Sequence, residues 1–236
     1  MKTNANNGLK SSTFYVRVTV LCVMFEIFLS YRKQWDMIFL SRLIVFVVVL
    51  LMFNVATARA ESFSQRFEKG SSSFGGQLGW GHTVDLPPGR NRTDLGFAFF
   101  FPNWQQNLTG ITGDSWSRGA WFYHMEAGLA FADREDKFLL GWSPLMAQYK
   151  FLSPKRKWAP NILLGAGASM TNWKDIADRE LGTEFQFLLN LGVGLEYFKE
   201  TGAYSINYRL FHVSNAGIKF PNIGLNAHVF SLGMRF

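Results

Sequence analysis

The chain has 236 residues, of which 48% are hydrophobic, 17% aromatic and 17% charged, with a formal net charge of +7 and one cysteine. So apolar a composition excludes disorder, its charged fraction lies below the roughly 25% usual in soluble domains, and the lone Cys22 excludes both a disulfide scaffold and a cysteine-based zinc site. Residues 1–60 hold seven of the 24 Lys+Arg but two of the 17 Asp+Glu, so the remainder is close to balanced; its basic residues are scattered apart from Lys155-Arg156-Lys157, and nucleic acid is not an expected partner.

Met37 to Ala60 reads MIFLSRLIVFVVVLLMFNVATARA. An early Arg42, an apolar run from Leu43 to Phe53 and Ala58-Arg59-Ala60 before Glu61 make the pattern of a secretory signal peptide. The run is short for a membrane anchor helix, the competing reading. Residues 1–36 fit poorly ahead of such a leader. Residues 1–60 are therefore expected to be a signal peptide behind an N-terminal extension, with translation starting at Met37, and residues 61–236 the exported domain. Beyond residue 60 no stretch approaches the roughly 20 apolar residues of a spanning helix.

The rest of the chain follows period 2. Segments near 73–82 and 94–102 come first, followed by a long connection over 103–118. From Trp121 to Phe131, Trp121, Tyr123, Met125, Ala127, Leu129 and Phe131 alternate with Phe122, His124, Glu126, Gly128 and Ala130. The segment at 138–151 changes parity near Pro144, which predicts a bulge or break there. Another spans 158–169, with Gly165 and Gly167 on its inner face. From Phe185 to Tyr197 every odd position is apolar or aromatic, while the even ones are Gln186, Leu188, Asn190, Gly192, Gly194 and Glu196. Segments at 203–214 and 225–236 complete eight.

Eight amphipathic strands with aromatic ends predict an all-β fold, an eight-stranded antiparallel transmembrane β-barrel of the bacterial outer membrane. Glycines on the inner face suit an interior filled by side chains, without a pore. A soluble barrel of lipocalin type would turn its apolar face inward, and Asn190, Glu196, Asn207 and Arg209 are too polar for that core. Phe230, Leu232, Met234 and the terminal Phe236 share one parity in the last segment, and this ending resembles the recognition signal of outer-membrane proteins. With both termini in the periplasm, the seventh segment runs outward from Tyr204 to Ser214 and the eighth returns from Leu225.

In the seventh segment the apolar, lipid-facing set is Tyr204, Ile206, Tyr208 and Leu210, and His212 and Ser214 continue it. Two residues apart on a strand, their side chains point the same way with Cα atoms about 7 Å apart. They can converge as base and nucleophile. Polar groups on a lipid-facing stripe break the local rule, and such breaks cluster at functional sites; the structural alternative is residence in the headgroup zone. His228 is expected to be outward and without a partner, His82 a strand-end residue and His124 an interior one.

The stretch Phe211-His212-Val213-Ser214-Asn215-Ala216-Gly217-Ile218-Lys219-Phe220-Pro221-Asn222-Ile223-Gly224 resembles the lipid A 3-O-deacylase (PagL-like) family of outer-membrane esterases over residues 205–236. The resemblance implies a membrane-facing serine hydrolase that removes the 3-position acyl chain of lipid A in lipopolysaccharide, with no cofactor and no metal. It implies Ser214 as nucleophile and His212 as general base, with Asn215, Gly217 and Asn222 around the oxyanion. The family's acidic third member falls 14 positions after the histidine, where this chain has Asn226; an amide oxygen can orient the imidazole but brings no charge. No acidic residue follows Glu200, so a replacement acid is expected only from another strand or loop. Expected partners are lipid A or lipopolysaccharide as substrate and outer-membrane lipid, with a homodimer as a further possibility. The rival readings are a lipid A acyltransferase and a non-catalytic structural or adhesive barrel.

Overall fold

A computed structural model describes residues 63–85, 94–133, 137–154, 156–173, 175–176 and 179–236. The expected leader, the extension and the start at Met37 lie outside the described residues. A single helical turn, α1 (Phe63–Arg66), precedes β1 (Ser72–Thr83), β2 (Gly96–Asn107), β3 (Gly119–Ala132), β4 (Phe138–Phe151) and β5 (Trp158–Thr171). A two-stranded excursion, β6 (Asp175–Ile176) and β7 (Arg179–Glu180), leads to β8 (Phe185–Lys199), β9 (Gly202–Ser214) and β10 (Leu225–Arg235). The eight long strands close into an antiparallel barrel in the order β1-β10-β9-β8-β5-β4-β3-β2. Closure follows from β1 pairing with β10, Trp80 opposite Phe230 and His82 opposite His228, and it removes the unpaired edges an open sheet would expose.

The alternation fixes which face is which. On β8, Phe187, Leu189, Leu191, Val193 and Leu195 are exposed on the outside, and Gln186, Asn190 and Glu196 are buried inside. Arg209 is likewise buried, so the lipocalin-like arrangement is ruled out by the direction of the side chains. The parity change on β4 is a bulge: Trp142 pairs with Ala168 but Leu145 with Ala166, which lets Ser143 and Met146 both point inward. Gly167 lies inside this bulge, where a Cβ would meet the Ser143 Cα at 2.6 Å.

One boundary differs from the sequence expectation. The second strand does not stop at residue 102 but continues to Asn107, leaving a shorter connection with a 3-10 turn at Ser115–Ser117. Asn103, Gln105 and Asn107 are buried, so they extend the inward parity of Phe97, Phe99 and Phe101 into a polar stretch of the interior.

That interior is filled from end to end. At the rim where β1 begins and β10 ends, and where Phe74 and Phe236 exchange backbone hydrogen bonds, Phe67 packs edge-on against Phe122 and Phe198. Arg66 anchors this plug by donating to the carbonyl oxygens of Gly202 and Glu200. Next come two buried ion-paired groups. Glu196 accepts from Lys150 at 2.5 Å and Arg235 at 3.0 Å, and Glu126 accepts from Arg209 at 2.6 Å. The opposite third is apolar, built from Phe97, Phe99, Phe101, Leu139, Leu188 and Phe211 and capped by Trp173 and Leu181 of the β5–β8 connection. Charges thus pair in one part of the interior, and the apolar cluster fills the part near the opposite rim.

The outer face gives a direct stability test. Leu191, 52% exposed, lies mid-strand on β8. Leu191→Arg is expected to lower folding stability by about 2–4 kcal/mol, as a cation at a bilayer midplane does, in urea titrations of folding into phospholipid vesicles. A stability equal to wild type would mean this face does not meet hydrocarbon.

Candidate active site

At the opposite rim, where β9 ends and β10 begins, the outward face of β9 turns from apolar to polar. Ser214 is the last residue of β9 and His212 is two before it on the same outward face. Pairing of β9 with β10 puts Asn226 directly opposite His212. The three half-buried side chains form a line: Ser214 Oγ lies 3.0 Å from His212 Nε2, and His212 Nδ1 lies 2.7 Å from Asn226 Oδ1. With Nδ1–H donating to the amide oxygen, Nε2 carries the lone pair that accepts the Ser214 hydroxyl.

Among the described residues no carboxylate from another strand or loop pairs with His212, and Nδ1 meets the Asn226 amide instead. The strand register brings the two together, because Asn226 stands directly opposite His212. The Asn226 carbonyl accepts from the Val84 N–H at 2.9 Å, which fixes the backbone from the neighbouring connection. Gly224, at φ +68, closes the other side: a Cβ there would stand 3.3 Å from His212 Cε1 and 3.5 Å from the Ser214 Cβ.

Beyond Ser214 the chain turns through Ala216 and Gly217, both with positive φ. Asn215, Gly217 and Asn222 come together here, mostly bonded to one another. The Asn215 N–H donates to Asn222 Oδ1 at 3.1 Å, and the Gly217 N–H donates to Asn215 Oδ1 at 2.8 Å. Two of the expected oxyanion donors are therefore engaged inside the turn. Because Asn222 Oδ1 is taken, its Nδ2 diverges from that bond, and among the described residues neither it nor the Ala216 N–H bonds within the turn.

The surroundings are greasy. Phe187 sits opposite Ser214 on β8 and packs edge-on against Phe185, and Ile218, Phe220 and Ile223 of the turn are exposed on the other side. The Ser214 hydroxyl thus lies among exposed apolar side chains.

The remaining histidines differ from one another. His228 has a partner after all, contrary to the sequence expectation: its Nδ1 lies 2.9 Å from the Tyr208 hydroxyl. Tyr208 is opposite Phe230, hence diagonal to His228, and a tyrosine is long enough to span the diagonal. His82 pairs with Asp94 at 2.7 Å at the end of β1, and His124 is buried in the interior. Among the described residues no group of three or more His, Cys, Asp or Glu is arranged to hold a metal ion.

A family model described as lipid A 3-O-deacylase (PagL) matches residues 90–235. The chain is 29% identical over 126 residues to the lipid A deacylase PagL of Pseudomonas aeruginosa, covering 53% of this chain and 66% of that protein. It is 42% identical over 65 residues to the lipid A deacylase PagL of Bordetella bronchiseptica, covering 28% of this chain and 35% of that protein. The matched part spans less than two thirds of either relative. The crystal structure of the outer membrane enzyme PagL shares the fold, with a TM-score of 0.51 at 22% identity over 69% of this chain and 98% of that one.

Proposed function

The chain belongs to the lipid A 3-O-deacylase family, and on that premise we propose that it is an outer-membrane hydrolase that removes the 3-position acyl chain of lipid A through Ser214. The observation that carries the proposal is the hydrogen-bonded line Ser214–His212–Asn226 on the lipid-facing side of the loop rim. Along β8 that face presents Phe187, Leu189, Leu191, Val193 and Leu195 to hydrocarbon. A nucleophile at its upper edge receives a lipid ester sideways from the leaflet, with no channel through the filled interior.

In the first half-reaction Ser214 Oγ attacks the ester carbonyl carbon while its proton passes to His212 Nε2. The negative charge that develops on the carbonyl oxygen needs fixed donors, and the Asn222 Nδ2 and the Ala216 N–H are the groups the turn leaves for it. Collapse of the tetrahedral intermediate breaks the ester C–O bond. His212 returns its proton to the departing sugar hydroxyl, leaving an acyl group on Ser214. In the second half-reaction His212 takes a proton from water, water attacks the acyl carbon, and the fatty acid leaves as Ser214 is reprotonated. The sum is ester plus water giving acid plus alcohol, and side chains supply every proton transfer.

Expression in a host whose lipid A keeps its 3-position chain is expected to give a lipid A species lighter by one acyl chain in mass spectrometry. An unchanged spectrum would favour a structural or adhesive barrel, and a heavier species would indicate acyl transfer; either overturns the proposal.

A further inference from the structure

Beyond the residues that touch substrate, the geometry points to Gly182 and Gln186 as positioning residues for the oxyanion turn, acting through the side chain of Asn215. The inference rests on Ser214 being the nucleophile.

Asn215 is fully buried although it follows Ser214 at the barrel rim. Its side chain joins two segments of chain. Oδ1 accepts from the Gly217 N–H, and Nδ2 donates to the carbonyl of Lys219 at 2.7 Å and to that of Leu181 at 2.8 Å. Together with the backbone bond to Asn222, these contacts tie Ser214, the turn and the β5–β8 connection into one unit.

The Leu181 carbonyl is itself held from within the barrel. Gln186 points inward from β8, is fully buried, and donates from Nε2 to the carbonyls of Leu181 and Thr183 at 3.2 and 2.5 Å. The Leu181 side chain is buried in the apolar core with Trp173. A continuous path of hydrogen bonds therefore runs from the barrel interior through Leu181 and Asn215 to the turn that carries Asn222. The Glu180 carbonyl, accepting from the Ile223 N–H at 3.3 Å, adds a second tie.

Gly182 sits where the two segments touch. Its φ is +72, and a Cβ there would lie 2.5 Å from the Pro221 oxygen, 2.8 Å from the Lys219 oxygen and 2.9 Å from Asn215 Nδ2. Two of those atoms are backbone, so a side chain at this position displaces the turn itself. Donors to an oxyanion work within tolerances of a few tenths of an ångström; the turn's internal bonds hold its shape but do not fix its position against the barrel. The β5–β8 connection supplies that anchor through Leu181 and Glu180.

The test uses the full chain, folded in detergent, and an alkyl fluorophosphonate as probe. Ser214 Oγ bonds to phosphorus as the P–F bond breaks, fluoride leaves and the hydroxyl proton passes through His212 to solvent. Gly182→Ala and Gln186→Leu are expected to slow both labelling of Ser214 and kcat on lipid A by about 10- to 100-fold, with KM unchanged. If Gly182 acts through Asn215, Gly182→Ala adds almost nothing in an Asn215→Ala background; a merely structural role would give independent, multiplying effects. Full rates in either folded variant, a change confined to KM, or multiplying effects in the double variant would overturn the inference. Should Gln186→Leu fail to fold, Gly182→Ala decides, because it lies outside the barrel wall. Unlabelled wild type would overturn the nucleophile and this inference together, whereas labelled wild type with indifferent variants overturns the positioning role alone.

Discussion

Ser214→Ala is expected to lower lipid A deacylation by about 10⁴-fold or more, the scale on which removing the serine of a serine hydrolase acts, with the barrel intact. The two halves of that expectation have separate causes. Activity falls because, among the described residues, Ser214 has the hydroxyl that stands at His212 Nε2, the ring nitrogen left to take a proton once Asn226 holds Nδ1. Folding survives because Ser214 is an outward, half-buried residue at the end of β9, and the filled interior does not contain it. His212→Ala is expected to match Ser214→Ala, and the double variant to be no worse than either, since the two act as a unit. The checks are lipid A mass spectrometry and the heat-dependent electrophoretic mobility of a folded barrel. Deacylation at the wild-type rate by a folded Ser214→Ala protein would remove Ser214 from the mechanism.

Much of this arrangement was legible in the sequence, because period 2 is a strict geometrical statement. Once Leu189, Leu191 and Val193 face lipid, Asn190 and Gly192 have to face inward, and the same parity puts His212, Ser214 and Asn226 on one outer surface. Even the β4 bulge announced itself as a change of parity at Pro144. The misses share a different cause. Asn103, Gln105 and Asn107 read as a loop because polarity usually signals solvent, whereas this interior is polar over half its length. The Tyr208–His228 bond depends on a diagonal across two strands, which parity does not specify. The role of Asn215 depends on Leu181, 34 residues earlier in the chain, and nothing local in the turn indicates that the β5–β8 connection lies against it. Patterning tells which side a residue faces; it does not tell which distant backbone carbonyl will be waiting there.

The largest gain is expected at the position that departs from the family pattern. Asn226→Asp preserves shape: the carboxylate oxygen takes the place of the amide oxygen 2.7 Å from His212 Nδ1, and the backbone bond from Val84 is untouched. What changes is charge, and with it the Nδ2 donor, which becomes an acceptor oxygen. As Ser214 loses its proton, His212 becomes an imidazolium, and a hydrogen bond to a carboxylate is roughly twice as strong as one to a neutral amide. In the serine-protease triad the reverse change, Asp to Asn, costs about 10⁴ in rate, chiefly by turning the imidazole into the wrong tautomer. Here the amide oxygen faces Nδ1, so the tautomer is already correct and only the electrostatic part is missing. The gain from Asn226→Asp is therefore expected to be smaller, about 10- to 100-fold in kcat, or roughly 1.4–2.7 kcal/mol of barrier. Asn226→Glu restores the charge with one more methylene, which cannot lie as directly between two residues paired across adjacent strands, and a smaller gain is expected. Asn226→Leu removes the acceptor, frees the ring to rotate and is expected to lose activity. Measuring kcat for the three variants on purified lipid A separates orientation from charge. If Asn226→Asp leaves the rate unchanged while Asn226→Leu abolishes it, Asn226 serves to orient the ring alone. If Asn226→Leu retains the wild-type rate, Asn226 has no part in the reaction, and the pairing across β9 and β10 is structural.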